Sequence, residues 1–279
     1  MRRPLAWLRV ALIDLRGSAA RFFILIACLA LGVMAIGTVS AVRHAVETAI
    51  TRDATTILGG DLEVRAPRVD IAPDVLVALE GLGTVNREVQ LNSQARKGDL
   101  TAFLSLRGVG PLYPLVGEVS LLPGALPGSV AELLAERDGV MGILLGQTAA
   151  LRLDARPGDM VRVGTLDLQL RGLIDTLPDA ATLGFQLGAP ALVADAALPL
   201  AGLRQEGMLS QFRYKLLLDE GDFASAQTAL ETQFPQAEWQ IRSPQQATDT
   251  IARFIAIFGN FMLLVALSAM VVGGLGAAN

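Results

Sequence analysis

Two apolar runs without a single charge, residues 22–42 and 254–279, bracket the rest of this 279-residue chain. At 1.5 Å per helical residue, 21 residues extend about 31 Å, close to the roughly 30 Å hydrocarbon thickness of a bilayer. A cleaved secretory leader is the rival reading of the first run, with Val39, Ser40 and Ala41 as small residues near a cleavage point. Leader cores, however, run roughly 7–15 residues, and a second long run favours two retained spans. The chain is therefore expected to be an α+β membrane protein, two transmembrane helices flanking one extracytoplasmic domain.

Charge orients it. Residues 1–21 carry Arg2, Arg3, Arg9, Arg16 and Arg21 against Asp14, net +4, while residues 43–253 carry 18 basic and 26 acidic groups, net −8. Basic residues stay on the cytoplasmic side. Residues 1–21 are thus expected in the cytoplasm and about 43–253 outside, in a periplasm or its equivalent, and the 16 Arg against Lys97 and Lys215 in that outer part hint at a bacterial source and so at its inner membrane. The acidic outer part would repel phosphate, which excludes a nucleic-acid binder. One cysteine, Cys28, excludes a disulfide scaffold and a cysteine-based zinc site. Asn279 closes the second run with no basic flank, so the chain is expected to be the N-terminal section of a longer protein.

The local pattern fills in the domains. In residues 1–21, Leu5, Leu8, Leu12 and Leu15 share a helical face, which suits a cytoplasmic amphipathic helix lying in the interface. After the first span (22–42), a helical stalk over 43–58 carries the stripe Val46, Ile50, Ile57 and stops at Gly59-Gly60. Before the second span (254–279), Ser243-Pro244-Gln245-Gln246 reads as a capping box with proline at the first helical position. That opens a stalk over 243–253 with a counterpart stripe in Ala247, Ile251 and Phe254. A stripe on a helix standing in water needs cover, at roughly 25 cal/mol per Å² of apolar area. The two stalks are expected to supply it to each other.

Between the stalks, strands are expected at 61–66, 85–96, 100–106, 212–218 and 238–242, and helices at 73–82 and 222–234, with a hairpin turn at Lys97-Gly98-Asp99. These make a split α/β lobe of 59–107 with 211–242. Residues 108–210 read as an inserted β-rich lobe. It holds a strand at 141–145, a short helix at 147–153, a turn at Pro157-Gly158-Asp159 and strands at 160–163 and 165–173.

This order of segments resembles the N-terminal section of an FtsX/MacB-like ABC transporter permease, and within that family the YbbP-like group. ILGGDLEV at 57–64 is similar to the family's first outer strand after its stalk. DGVMGILLGQTAALRLDARPGDMVRVG at 138–164 is similar to its strand, short helix, "PGD" turn and strand. Gly273-Gly274-Leu275-Gly276-Ala277-Ala278-Asn279 is similar to its second span. The resemblance covers essentially the whole chain and implies a MacB-like periplasmic core domain. It also implies a cytoplasmic ABC ATPase subunit as partner, with ATP and magnesium on that subunit and no cofactor here. ATP-driven motion would pass through the stalks to the outer domain, exporting or extracting a lipid, lipoprotein or peptide, or activating a partner such as an esterase.

No catalytic, cofactor or metal residues are assigned. There is no G-x-x-x-x-G-K-[ST] cradle and no G-x-S-x-G, and the one histidine, His44, sits just past the first span. Asp61 with Glu63, and Asp175 with Asp179, are read as solvated surface rather than a catalytic pair. Cys28 and Asn260 are read as packing or interface residues. Ala269, Gly273 and Ala277 recur every four residues, a spacing that suits close helix packing. The competing reading is a two-span sensor with an outer ligand-binding domain. A membrane-tethered enzyme is disfavoured by the missing nucleophile and base.

Overall fold

The structure, a computed structural model, describes residues 54–67, 69–180, 187–203, 210–220 and 222–246, with scattered helical positions between 23 and 45 and between 253 and 271. The chain divides into two units, Met1–Arg52 with Asp249–Asn279, and Asp53–Thr248. In the first, the described positions are helical, and Phe23, Ile26, Met34, Phe258, Phe261 and Leu264 are each more than half exposed. Among the described residues no helix is long and apolar enough to cross a membrane. The expected amphipathic helix, much of both expected spans, and the stalk and packing positions Val46, Ile50, Ala247, Ile251, Phe254, Ala269, Gly273 and Ala277 lie outside the described residues.

The second unit opens with α1 (Ala54–Leu58), the end of the expected first stalk. Gly59, at φ +82°, turns the chain out of it. A split βαβ arrangement follows: β1 (Leu62–Pro67), α2 (Pro73–Glu80) and β2 (Gly83–Lys97), with β9 (Gln211–Leu218) inserted between β1 and β2. Its second half is β9, α6 (Phe223–Gln233) and β10 (Gln240–Arg242), with β10 on the far side of β1. All these pairings are antiparallel, giving the ferredoxin-like order β10-β1-β9-β2. Pro73 starts α2 at a position where its missing N–H costs nothing, and Gly81 ends it. Asp222 and Ser225 cap α6 reciprocally. Val75 and Leu79 of α2 and Ala226 and Leu230 of α6 are buried against Leu62, Val64, Val89, Phe212 and Leu216 of the sheet. The expected elements are present here, displaced by a residue or two.

Between β2 and β9 the chain builds β3 (Leu100–Val109), β4 (Ser120–Leu121), α3 (Val130–Leu134), β5 (Gly142–Gly146), α4 (Gln147–Arg152), β6 (Met160–Val163), β7 (Leu166–Thr176), β8 (Ala189–Ala194) and α5 (Ala197–Leu200). The expected separation into two lobes at residue 108 is corrected by the hydrogen bonding. β3 runs through that boundary, β8 pairs parallel with it over Leu104–Val109, and one sheet continues β2-β3-β8-β5-β7. β6 then pairs with both β7 and the far end of β2, which closes a six-stranded ring. The physical reason lies in β2. Fifteen residues at about 3.3 Å each reach roughly 50 Å, so its first half belongs to the split βαβ sheet and its second half to the ring. Leu104, Ile143, Leu145, Val161, Leu168 and Leu170 are buried in one core that continues into the sheet.

Arg171 on β7 is fully buried and fastens this region through main-chain carbonyls. Its guanidinium donates to the carbonyls of Leu133 (3.1 Å), Ala135 (2.6 Å) and Val140 (2.7 Å), fixing the chain between α3 and β5.

Neighbours on β3 give a paired test of this packing. Leu104 is 0% exposed and Phe103 40%. Leu104→Ala should lower unfolding stability by about 2–5 kcal/mol through the cavity it leaves, whereas Phe103→Ala should cost well under half of that in the same urea titration.

Candidate functional site

Strands alternate their side chains between two faces. In β1, β9 and β2 one alternation is apolar and goes to the helices. The other is charged: Glu63 and Arg65, Arg213 and Lys215, Asn86 and Glu88, joined by Arg107 of β3. Register sets opposite charges side by side, with Glu63 across from Lys215 and Arg213 across from Glu88. Such a face is expected in water. Instead Glu63, Glu88, Arg107, Arg213 and Lys215 are each at most 3% exposed.

The cover comes from three places. Leu58, Gly59 and Gly60, at the root of the first stalk, are buried. The stretch after β3 brings Tyr113, whose ring lies 5.1 Å from the Arg107 guanidinium. The turn after β7 brings Asp179, which is 1% exposed. A Cβ at Gly117 would stand 3.1 Å from Thr56 of α1 and 2.7 Å from Pro178, so these three segments meet one another as well as the sheet.

Asp179 is the knot of the network. It accepts from Arg107 Nη1 (3.1 Å) and Nη2 (2.8 Å), from the Tyr113 hydroxyl (3.3 Å) and from Lys215 Nζ. Arg107 Nη2 also donates to Glu88 at 2.8 Å, and Lys215 Nζ lies 3.2 Å from the same carboxylate. Arg65 Nε is 3.0 Å from Glu63, and Arg213 donates to Gln211 at 2.8 Å. Burial opposes the charge of Asp179, but Arg107 and Lys215 outweigh it and hold its carboxyl far below the usual range. Burial likewise opposes the charge on Arg107, and Glu88 with Asp179 hold it well above its ordinary value. Burial, with Arg65 alongside, pushes Arg213 down to about 10. Burial holds the Tyr113 phenol above its normal range.

A second cluster ties the opposite face. Arg87 donates to Asp70 (2.5 Å), to Asp195 and to the Tyr214 hydroxyl (3.0 Å), and Tyr214 in turn donates to Asp70. The Arg87 guanidinium also lies over the Phe212 ring at 5.5 Å. Asp70 precedes α2 and Asp195 follows β8, so this cluster joins the split βαβ unit to the inserted strands.

Both clusters join segments distant in sequence through buried or half-buried ion pairs and hydrogen bonds. The carboxylates read as solvated surface separate. Glu63 and Asp179 are buried in the network, while Asp61 accepts from the Leu218 N–H at 3.2 Å and Asp175 from Ser120 at 3.4 Å. Sequence reasoning missed Glu88, Arg107 and Lys215. Their signal was polar and charged residues at alternate positions, Asn86 and Glu88 in NREVQ and Arg213 and Lys215 in FRYKL, which also describes an exposed strand. Of the expected stalk contacts, Ile57 is described and is half-buried, while Leu58 beside it is fully buried. The Ser243–Gln246 capping box is formed, with bonds of 3.2 and 3.1 Å. Asn260 is an exposed helical position.

No family model matches the chain. In sequence it is 24% identical over 238 residues to an uncharacterized ABC transporter permease, YbbP of Escherichia coli strain K12, an alignment spanning 84% of this chain and 28% of that protein. Thus the chain spans a little over a quarter of its relative's length, and the relative is of the kind the sequence resemblance named. Among solved structures it is similar to the periplasmic region of MacB from Actinobacillus actinomycetemcomitans, with TM-score 0.47, 11% identity, and 71% of this chain and 95% of that one covered. It is also similar to the extracellular domain of the noncanonic ABC-type transporter YknZ from Gram-positive bacteria, with TM-score 0.44, 13% identity, and 65% and 100% covered.

The network generates a pH-dependent prediction. Asp179→Asn should lower stability by about 3–5 kcal/mol near neutral pH, because buried Arg107 and Lys215 lose their shared counter-charge. A carboxyl whose folded pKa is depressed contributes fully above its unfolded value of about 3.9 and loses that contribution as pH falls toward its folded value. The stability gap between wild type and variant, read from urea unfolding, should therefore be constant from pH 5 to 8 and narrow below about pH 4.

Proposed function

We propose that the chain is a section of an ABC transporter permease of the MacB/FtsX kind, set in the bacterial inner membrane with residues 53–248 on the outer side. The observation that carries this reading is the 238-residue relationship to an ABC transporter permease, with the MacB/FtsX kind taken from the resemblance in segment order. The charge-free runs with the basic leader support the membrane setting. So do the exposed Phe23, Ile26, Phe258 and Phe261, whose apolar surface suits lipid cover.

The outer unit supports a mechanical role. The chain enters it on β1 and leaves it on β10, and these strands pair with Glu63 opposite Arg242. The end of α1 and the start of the helix at Ser243 are thus rooted at the same end of two adjacent strands. On this reading a cytoplasmic ATPase, which hydrolyses ATP, drives the paired roots. The buried ion network under Leu58–Gly60 passes the displacement to the inserted strands. The cargo, a lipid, lipoprotein or peptide, or a partner enzyme to be activated, acts at that outer unit.

Cysteines at Thr55 and Gln245, in the complete permease assembled with its ATPase, test this. A short bismaleimide should join the two positions efficiently, with a yield that changes on adding ATP, and the joined protein should lose transport or partner activation. Cross-linking that responds to an added outer ligand but not to nucleotide would favour the two-span sensor. Absence of cross-linking, or a locked protein with full activity, would remove the mechanical role.

A further inference from the structure

β1 and β10 run side by side, with the roots of the chain at one end of the pair. At the other end lies a cavity of about 570 Å³, a volume usual for small-ligand sites. One wall is the chain from Ala66, near the end of β1, to Val75 in the first turn of α2. The other runs from Phe234 at the end of α6 to Trp239 just before β10.

Two features set this lining apart from a plain apolar hollow. The first is aromatic. Phe234 and Trp239 meet edge to face, their centroids 5.6 Å apart and their planes at 81°, and Pro67 and Pro235 line the same cavity. Both rings are half-buried, and both also border a second hollow of about 220 Å³ that Glu231 lines. Part of each ring is therefore left uncovered by the core.

The second is charge. The two lining segments, 66–75 and 234–239, carry Asp70, Asp74 and Glu238 against one basic residue, Arg68, which lies outside the described residues. Asp70 is bonded to Arg87 and Tyr214. Asp74 and Glu238 are exposed, and their carboxylates make no hydrogen bond or ion pair among the described residues. Their charge is left to act on what enters the cavity.

An aromatic face attracts a cation through its quadrupole, tryptophan most strongly, and more so where water is excluded. Carboxylates at the border draw cations and repel anions. A bare metal ion would have to shed its water against apolar walls, which do not offset that cost. An alkylated ammonium spreads its charge over methyl groups, holds water weakly and presents an apolar surface to rings and prolines.

We propose that this cavity binds a small, soluble organic cation bearing an alkylated ammonium group. The rings of Trp239 and Phe234 receive the ammonium, and Asp74 and Glu238 supply the counter-charge. The inference stands on this cavity alone and is independent of the permease reading.

The test titrates choline into the whole chain in phosphatidylglycerol nanodiscs, whose lipid carries no ammonium group. Trp7 and Trp239 are the only tryptophans in the sequence, so a Trp7→Phe background makes tryptophan fluorescence report on the cavity alone. Choline should change that fluorescence saturably. It should bind about tenfold more tightly than neohexyl alcohol, its uncharged carbon isostere, which is the worth of a desolvated cation–π contact. Asp74→Asn with Glu238→Gln, both on the surface, should weaken choline about fivefold and leave neohexyl alcohol unchanged. Phe234→Leu, which keeps an apolar wall but removes the ring, should weaken choline more than the alcohol. Phosphatidylcholine nanodiscs should give the same choline affinity; a cavity already filled there would assign it to a lipid headgroup and overturn the soluble occupant. No saturable change with choline, equal or tighter binding of neohexyl alcohol, or undiminished choline binding in the double carboxylate variant would each overturn the proposal.

Discussion

The buried ion network on the second face of the split sheet sets the conditions for everything around it. Glu63, Glu88, Arg107, Asp179, Arg213 and Lys215 are removed from water together. Desolvating such groups costs several kcal/mol for each ion, which mutual attraction offsets only when geometry and hydrogen bonding are nearly complete. The network is therefore a weak source of stability and a strong constraint on arrangement. A shift of the Asp179 turn would leave Arg107 and Lys215 without their shared counter-charge, and a shift of the Tyr113 stretch or of the root of the first stalk would uncover the network.

Two consequences follow for rigidity. The long β2–β3 hairpin is shared between the split βαβ sheet and the closed ring, so the two parts cannot hinge at the point where the chain passes from one to the other. On the other face, Arg87 bonds Asp70 and Asp195, residues on either side of the same passage. On the mechanical reading proposed above, these two ties are the connections through which a force at the roots on β1 and β10 would reach the inserted strands.

The open edge of β2 and the ion network share one origin, the departure of β3 from β2 at Glu88. The stretch beyond β3 crosses the sheet to deliver Tyr113 to Asp179, and in crossing it leaves the β2 edge over residues 83–87 with no strand beside it among the described residues and Asn86 beneath Gly110. A continued β2–β3 ladder would have closed that edge and carried Tyr113 away from Asp179.

Local chemistry was legible along the chain. Proline and glycine at the ends of α2, the Ser243 cap, the Lys97-Gly98-Asp99 hairpin turn and the apolar alternation of β7 act over a few residues. Each reads directly as a helix end, a turn or a strand. So does the resemblance in segment order, which rests on the succession of such elements. Burial of the second sheet face was not legible, and β2 shows why. Asn86, Glu88, Asn92, Gln94 and Arg96 all fall on one face by alternation, yet the first two are buried and the last three exposed. Thr101 and Arg107 divide in the same way on β3. Alternation determines which face a side chain joins. What covers that face depends on segments about 20 to 90 residues away whose placement is a property of the tertiary structure alone, and so the charges that read as solvated became the buried centre of the molecule.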